Sequence, residues 1–188
     1  MAVAWSDLLL PIALSAVFVF LASSIIHMVL KWHSPDYRKL PNEDEVRAAM
    51  RQGAPGPGQY ILPHCKDSKE MASPEMAHKY QEGPIAVLYV KKAGKISLGP
   101  LLVNWFLYSL VVGALCAYMA GFMLLPGADY MRVFRVVGMA AWLAYSWQGP
   151  AESIWKGKPW TLTIREMVDG LVYGLVTGTL FALLWPGL

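Results

Sequence analysis

Apolar and polar stretches alternate along this chain on a scale that predicts four membrane-spanning helices. Crossing the roughly 30 Å hydrocarbon core of a bilayer takes about 20 helical residues. The third apolar segment is shorter than this, and the other three are long enough. The pattern predicts a membrane all-α protein, a four-transmembrane-helix bundle with a small α/β cytoplasmic insert between helices 1 and 2. The apolar segments cover about residues 8–30, 101–125, 132–147 and 164–185.

Small residues recur at every fourth position within the second and fourth apolar segments. This spacing places them on one stripe of an α-helix. Because lipid gives helices no hydrophobic reason to associate, such stripes indicate close packing of two helix backbones. The predicted helix-packing residues are Ser109, Gly113, Ala117 and Gly121 in helix 2, and Gly170, Gly174, Gly178 and Ala182 in helix 4.

The same two segments match each other at an offset of 65 residues. Residues 103–117 and 168–182 share seven identities in fifteen positions, and both segments end in Pro-Gly. Residues 20–24 and 142–146 match more weakly. Ordinary membrane composition or a duplicated two-helix unit explains the match. A duplication would make helices 2 and 4 parallel, and their stripes would meet each other or a second copy of the chain.

The long connection over residues 31–99 predicts a small, partly ordered domain with two helices. Asn42 is the expected N-cap of the first helix, which has acidic residues in its first turn and ends near Gly53. Ser73 is the expected N-cap of the second helix, with proline at its first position, and Gly83-Pro84 ends it.

Two short runs of this connection have the composition of strands, at residues 59–62 and 85–90. Two strands and two helices give only a thin core. The predicted division of the chain is helix 1 over residues 1–30, the cytoplasmic insert over 31–99, and helices 2–4 over 100–188.

The composition agrees with a membrane protein. Of the 188 residues, 56% are hydrophobic and 15% are charged, whereas a soluble domain typically has about 45–50% apolar and about 25% charged residues. The net charge of +3 is small, and Lys and Arg form no dense patch. Membrane lipids are therefore the expected partners, and nucleic acid is not.

The distribution of Lys and Arg predicts the orientation of the helices. Residues 31–99 hold 11 of the 16 Lys and Arg, three more lie around the start of the fourth segment, and two lie on the opposite side. Because cytoplasmic connections are enriched in Lys and Arg, we predict both termini outside and residues 31–99 in the cytoplasm.

The start of the fourth segment contains two polar patterns. Thr163 and Glu166 have the spacing of a capping box, which predicts that helix 4 begins there. Arg165 and Asp169 lie four residues apart, so their side chains can pair along the helix, which is the alternative to a functional role for Asp169.

Polar side chains form a second stripe beside the glycines of helix 4, and helix 2 has polar residues at matching positions. Ionisable groups within apolar helices are candidates for function. The alternative is hydrogen bonding between helices, which contributes about 0.6 kcal/mol on average. The candidate polar path consists of Asn104, Tyr108, Asp169, Tyr173 and Thr177.

Soft and imidazole ligands lie close together in the insert, where His64, Cys65 and His78 are weak candidates for a copper(I) or zinc site. They lack a paired ligand spacing, so no metal is predicted. His27 is the only histidine within an apolar segment, which argues against a haem held by two facing histidines of one subunit. No cofactor is predicted, although a bound lipid, quinone or carotenoid needs no sequence signature and stays an alternative.

Three stretches of the chain resemble a group of small, uncharacterised bacterial inner-membrane proteins. They are WHSPDYRKLP at residues 32–41, GQY at residues 58–60, and the region from SIW at 153–155 to PW at 159–160. The similarity covers most of the chain. It implies a location in the bacterial cytoplasmic membrane, and it carries over no activity and no functional residues.

No spacing of Ser, Cys, His and acidic residues indicates a nucleophile with its base. We therefore expect a non-enzymatic scaffold or an accessory subunit of a membrane complex. Its expected protein partners are further copies of this chain or other subunits of that complex. One alternative is an oligomeric channel or transporter that uses the polar path. Another is a membrane enzyme or a protein that binds a lipophilic cofactor.

Overall fold

The computed structural model describes residues 3–187, and the chain divides into two compact units. A helical unit contains residues 1–37 and 97–188, and an insert unit contains residues 38–96. The helical unit consists of α1 Trp5–Ser24, extended by a π-helical turn Ile25–Val29, α5 Leu98–Met123, α6 Tyr130–Ser146, α7 Gln148–Lys156 and α8 Trp160–Leu183.

Three helices are long and apolar enough to cross a membrane, namely Trp5–Val29, Leu98–Met123 and Trp160–Leu183. The protein is therefore a membrane protein by the length and composition of its helices. The predicted third crossing corresponds to α6, which has 17 residues and falls short of the about 20 that a bilayer core needs. Three of the four predicted crossings therefore correspond to helices with the length of a span, and the four-helix count is not confirmed.

The outer surfaces of the long helices are apolar. On a soluble monomer, contiguous apolar surface of this extent is rare, whereas lipid hydrocarbon solvates it at no cost. Examples of exposed side chains are Leu9, Phe18 and Leu21 on α1 and Leu107, Leu115 and Phe122 on α5.

The glycine stripe of α8 packs on α6 of the same chain. A Cβ atom placed on Gly178 would lie 2.9 Å from the carbonyl oxygen of Phe134, and one on Gly174 would lie 2.8 Å from that of Gly138. A Cβ on Gly170 would overlap the side chain of Ser146. These backbones approach so closely that no side chain larger than hydrogen fits between them.

The small-residue stripe of α5 packs on α1 instead. A Cβ on Gly113 would lie 3.3 Å from the Ser15 hydroxyl oxygen and 3.5 Å from the Ile12 carbonyl oxygen. Both stripes are therefore buried inside the chain. The expectation that they meet each other or a second copy is wrong, because each stripe packs on the helix that precedes it in its own half.

This arrangement repeats the same contact in both halves. Gly113 and Gly178 are equivalent at the offset of 65, and Ile12 and Phe134 are equivalent at the offset of 122 that aligns residues 20–24 with 142–146. Gly113 faces the carbonyl group of Ile12, and Gly178 faces that of Phe134. A duplicated two-helix unit would produce this shared helix register.

The start of α8 differs from the predicted capping box. The helix begins at Trp160, directly after Pro159, so Thr163 lies inside it. The hydroxyl groups of Thr163 and Ser153 are hydrogen-bonded at 2.6 Å in a buried contact with α7. The capping prediction is wrong because the helix begins about one turn before Thr163, and the Thr163 side chain pairs with α7 instead.

The insert unit has the predicted strands and helices. The strands pair antiparallel, from Gly58 with Val90 to Leu62 with Ala86. Ser73 caps its helix as predicted by accepting a hydrogen bond from the Met76 amide. The side chain of Asn42 makes no capping bond, so that prediction is wrong. The elements are α2 Glu43–Gly53, β1 Gly58–Leu62, α3 Ser68–Met71, α4 Pro74–Glu82 and β2 Ala86–Val90.

Candidate functional site

Five polar side chains converge where α1 ends beside the first half of α8. His33 is central, because its Nε2 atom lies 2.6 Å from Asp169 Oδ2 and its Nδ1 atom lies 2.6 Å from Asp36 Oδ2. Arg165 donates a hydrogen bond to Asp36. His27 completes the group, with its Nε2 atom 3.9 Å from Asp169 Oδ2. We call these five residues the His–Asp cluster.

Local backbone geometry at the end of α1 positions the two histidines. The helix ends in the π-helical turn Ile25–Val29, which contains His27. Turns of this kind occur frequently at functional sites. Lys31 then adopts a positive φ of 49° and redirects the chain. A 3₁₀ turn over Ser34–Asp36 follows.

That 3₁₀ turn brings His33 and Asp36 together. Its side chains at positions three apart are nearly eclipsed, and Pro35 fixes its first turn. The backbone amide of Asp36 donates to the carbonyl oxygen of His33 at 3.0 Å. As a result, the imidazole of His33 lies between two carboxylates, one local and one on α8.

The α8 side of the cluster is a pair of residues four apart. Residues at this spacing lie one above the other on a helix, so Arg165 and Asp169 both face the end of α1. They do not pair with each other as predicted from the sequence. Arg165 pairs with Asp36, and Asp169 pairs with His33, because the α1 segment offers each of them a closer partner.

The charges of the cluster are shielded from solvent and mutually balanced. The side chains of Asp36 and Asp169 are each 8% exposed, and that of His33 is 17% exposed. Burial lowers the pKa of His33, but its hydrogen bonds to Asp36 and Asp169 outweigh burial and raise the pKa above its ordinary value. Burial raises the pKa of Asp36, but His33 and Arg165 outweigh this and hold it below its ordinary value.

A pocket of about 240 Å³ adjoins the cluster on the side of His27. It lies between the end of α1 and the start of α5. The indole Nε1 of Trp105 is buried without a hydrogen-bond partner among the described residues. The pocket is lined by Ser23, Ser24, His27, Met28, Leu102 and Trp105.

The predicted polar path does not form one continuous line. Asn104 and Tyr108 are exposed on α5, whereas Asp169, Tyr173 and Thr177 are buried on α8. The Thr177 hydroxyl donates to the Tyr173 carbonyl oxygen of its own helix. The Tyr108 hydroxyl donates to a backbone carbonyl of α6. Of the five residues, Asp169 alone belongs to the His–Asp cluster.

Aromatic rings separate Asp169 from the rest of the bundle. One turn beyond Asp169, the ring of Tyr173 lies 5.4 Å from that of Tyr145 and 5.8 Å from that of Trp105, measured between ring centroids. Tyr108 contacts the same group, with its centroid 5.8 Å from that of Tyr145. Ring packing at these separations is typical of a stabilising aromatic core, which lies next to the His–Asp cluster in the helical unit.

The weak metal candidates of the insert have other contacts. Cys65 Sγ lies 3.4 Å from the hydroxyl of Tyr80. His78 Nδ1 lies 3.3 Å from Glu82 Oε2, one helical turn away. Within residues 3–187, the group of side chains with metal-binding geometry is His27, His33 and Asp169, not the set His64, Cys65 and His78.

Sequence analysis did not identify His33 and Asp36 as site residues. His33 and Asp169 are separated by 136 positions, so their contact depends on tertiary packing. Two local spacings are the signals that could have indicated this site. His33 and Asp36 lie three residues apart in a turn that contains proline. Arg165 and Asp169 lie four residues apart, so each pair presents two polar groups on one side.

Comparison with known protein families, with curated proteins and with solved structures finds no match for this chain.

Proposed function

We propose that this protein is a non-enzymatic scaffold or accessory subunit of a complex in the bacterial inner membrane. The observation that carries the proposal is the His–Asp cluster. Through Asp36 and His33 it fastens the segment that leads into the insert unit onto α8. The insert unit follows this fastened segment directly in the chain, and a unit inserted into a membrane bundle in this way is suited to contact with another protein.

The proposed topology has four crossings, with α6 as the short one. At about 1.5 Å per residue its 17 residues span about 25 Å, and it packs along α8 from Ser146 to Phe134. Both termini then lie outside, and the Lys- and Arg-rich insert lies in the cytoplasm. This topology places the His–Asp cluster near the cytoplasmic end of the bundle.

The surface of the insert supports a role in protein contacts. Strand β1 is exposed along its whole length and includes Ile61, which is 50% exposed. Exposed apolar strands pair readily with other chains unless something covers them. Since the small-residue stripes are used inside the helical unit, the exposed strand of the insert is one surface available to a partner protein.

The Ile61→Lys variant tests the scaffold function. We expect the protein extracted in mild detergent from its native membrane to retain a second protein at fixed stoichiometry, and Ile61→Lys to lose it. A charged side chain on β1 would oppose strand pairing or apolar contact without removing a core residue. Native mass spectrometry is the measurement.

The matched control for that experiment is Met71→Lys, which adds the same charge to another exposed position of the insert unit. It should retain the partner. A wild-type protein that has only the mass of one chain would refute the scaffold proposal, and multiples of 20.8 kDa would assign the partner to a second copy.

The pocket beside His27 favours a second candidate function, the binding of a lipophilic molecule such as a quinone, carotenoid or lipid. Ligand pockets usually enclose about 300–1,000 Å³, so the about 240 Å³ here suits a headgroup with its tail in the bilayer. The imidazole of His27 lines the pocket and would suit a carbonyl or hydroxyl oxygen on that headgroup.

Filling the pocket tests this second function. In the Leu102→Trp variant, the added ring would occupy the pocket, and we expect the molecule recovered in an organic extract to decrease at least several-fold. Val103→Trp adds the same ring at a neighbouring exposed position and should leave the extract unchanged. Mass spectrometry and absorption spectra of the extracts are the readouts, and an extract of the wild type that contains no such molecule would refute the idea.

A further inference from the structure

We propose that His27, His33 and Asp169 bind one divalent transition-metal ion, with Zn²⁺ as the best fit. One ligand atom from each residue lies within 4.8 Å of the other two. Two imidazoles and one carboxylate form a donor set that zinc and neighbouring divalent metals accept, whereas Mg²⁺ and Ca²⁺ prefer oxygen alone. The proposal is independent of the scaffold function.

The separations between the donor atoms fit a single ion. Zinc binds nitrogen and carboxylate oxygen at about 2.0–2.2 Å, so two ligand atoms of a tetrahedral site lie about 3.4 Å apart. The Nε2 atoms of His33 and His27 lie 2.6 Å and 3.9 Å from Asp169 Oδ2. These values bracket the tetrahedral separation, and side-chain shifts of less than 1 Å would equalise them.

The groups behind His33 are those that a metal-binding histidine requires. Such a histidine usually donates its second ring N–H to a carboxylate, which fixes the tautomer and strengthens the ligand. Here His33 presents Nε2 to the proposed ion and Nδ1 to Asp36 at 2.6 Å. Arg165 in turn donates to Asp36, so the outer carboxylate is itself held in place.

The two imidazoles are close enough to serve one ion. Their ring centroids lie 4.6 Å apart, and the Nε2 atoms of both face the same carboxylate oxygen of Asp169. A metal ion would replace the proton of the hydrogen bond between His33 and Asp169, and it would draw His27 Nε2 in from 3.9 Å.

Three protein ligands leave one position of a tetrahedral ion for another group. Zinc sites with three protein ligands typically bind water or substrate at the fourth position. His27 also lines the pocket of about 240 Å³. An oxygen atom of water, or of a molecule in that pocket, is therefore the expected fourth ligand.

Metal binding by tag-free protein in nanodiscs is the test. After chelator treatment and its removal, we expect the wild type to take up one Zn²⁺ per chain. With Co²⁺ instead, a visible d–d absorption of tetrahedral type should appear. His27→Ala should weaken Zn²⁺ binding by more than the roughly 10–100-fold that loss of an outer partner typically causes, and should abolish the cobalt signal.

The His27→Ala variant distinguishes a loss of metal binding from a loss of folding. His27 is 47% exposed and not hydrogen-bonded to Asp169, so its loss should leave thermal stability unchanged. The control is the double variant His64→Ala and His78→Ala, which removes the insert histidines and should bind as the wild type does. Equal Zn²⁺ affinity of the wild type and His27→Ala, or no stoichiometric binding by the wild type, would overturn the proposal.

Discussion

Gly178→Ala is expected to destabilise the helical unit by about 1–3 kcal/mol, the usual cost of forcing extra atoms into a packed core. The added methyl group would lie 2.9 Å from the Phe134 carbonyl oxygen and 3.0 Å from the Cα atom of Gly138. Both neighbours are backbone atoms, so α6 and α8 would have to move apart. Unfolding followed by circular dichroism in detergent, with increasing sodium dodecyl sulfate, would measure the change.

The matching contact between α1 and α5 supplies the control for this prediction. Gly113→Ala alters the equivalent position, where the methyl group would meet the Ser15 hydroxyl oxygen at 3.3 Å and Ile12 at 3.5 Å. Both variants gain the same helix propensity, about 1 kcal/mol for Ala over Gly. Gly113→Ala should therefore be close to neutral. Equal stability of the two variants would show that the α6–α8 contact is looser than the structure indicates.

Asp169→Ala is expected to cost about 3–5 kcal/mol of stability, the range for removing one partner of a buried ion pair. The carboxylate is 8% exposed and is the partner of His33 across the α1–α8 contact. Without it, the His33 ring loses its link to α8, and a shielded group is left unsatisfied. The same unfolding assay, run with a chelator present so that metal binding does not contribute, would measure the loss.

A second aspartate of the helical unit serves as the comparison. Asp129 caps α6 by accepting a hydrogen bond from the Arg132 amide, and it is exposed. Asp129→Ala should cost about 1 kcal/mol, as loss of an N-cap typically does. If Asp169→Ala were no more destabilising than Asp129→Ala, the His–Asp cluster would have no part in holding the fold together.

The close packing of the small-residue stripes was predicted from the sequence, but the helices on which they pack were not. Their spacing alone indicated close helix packing, because periodicity is a local property of an α-helix. Their partners were not predictable, since the same stripe suits any helix that offers small residues and a parallel or antiparallel approach. Only the structure places Gly178 against Phe134 and Gly113 against Ile12.

The candidate site was likewise predicted only in part from the sequence. Asp169 was identified from the sequence because an acidic residue in an apolar segment is costly and therefore conspicuous. The pairing of Asp169 with Arg165, considered from the sequence, does not occur, because Asp169 pairs with His33 and Arg165 pairs with Asp36. A helix neighbour four residues away is always available, but the chain segment after α1 offers the imidazole of His33 at 2.6 Å.

The sequence by itself determined that the helices are suited to a membrane, how far the apolar segments extend and where two backbones must come close. These properties depend only on composition and spacing along the chain. The tertiary structure decided which helices share each stripe and that His27, His33, Asp36, Arg165 and Asp169 meet. Contacts across more than 100 residues arise from the packing of whole helices, and no local pattern encodes them.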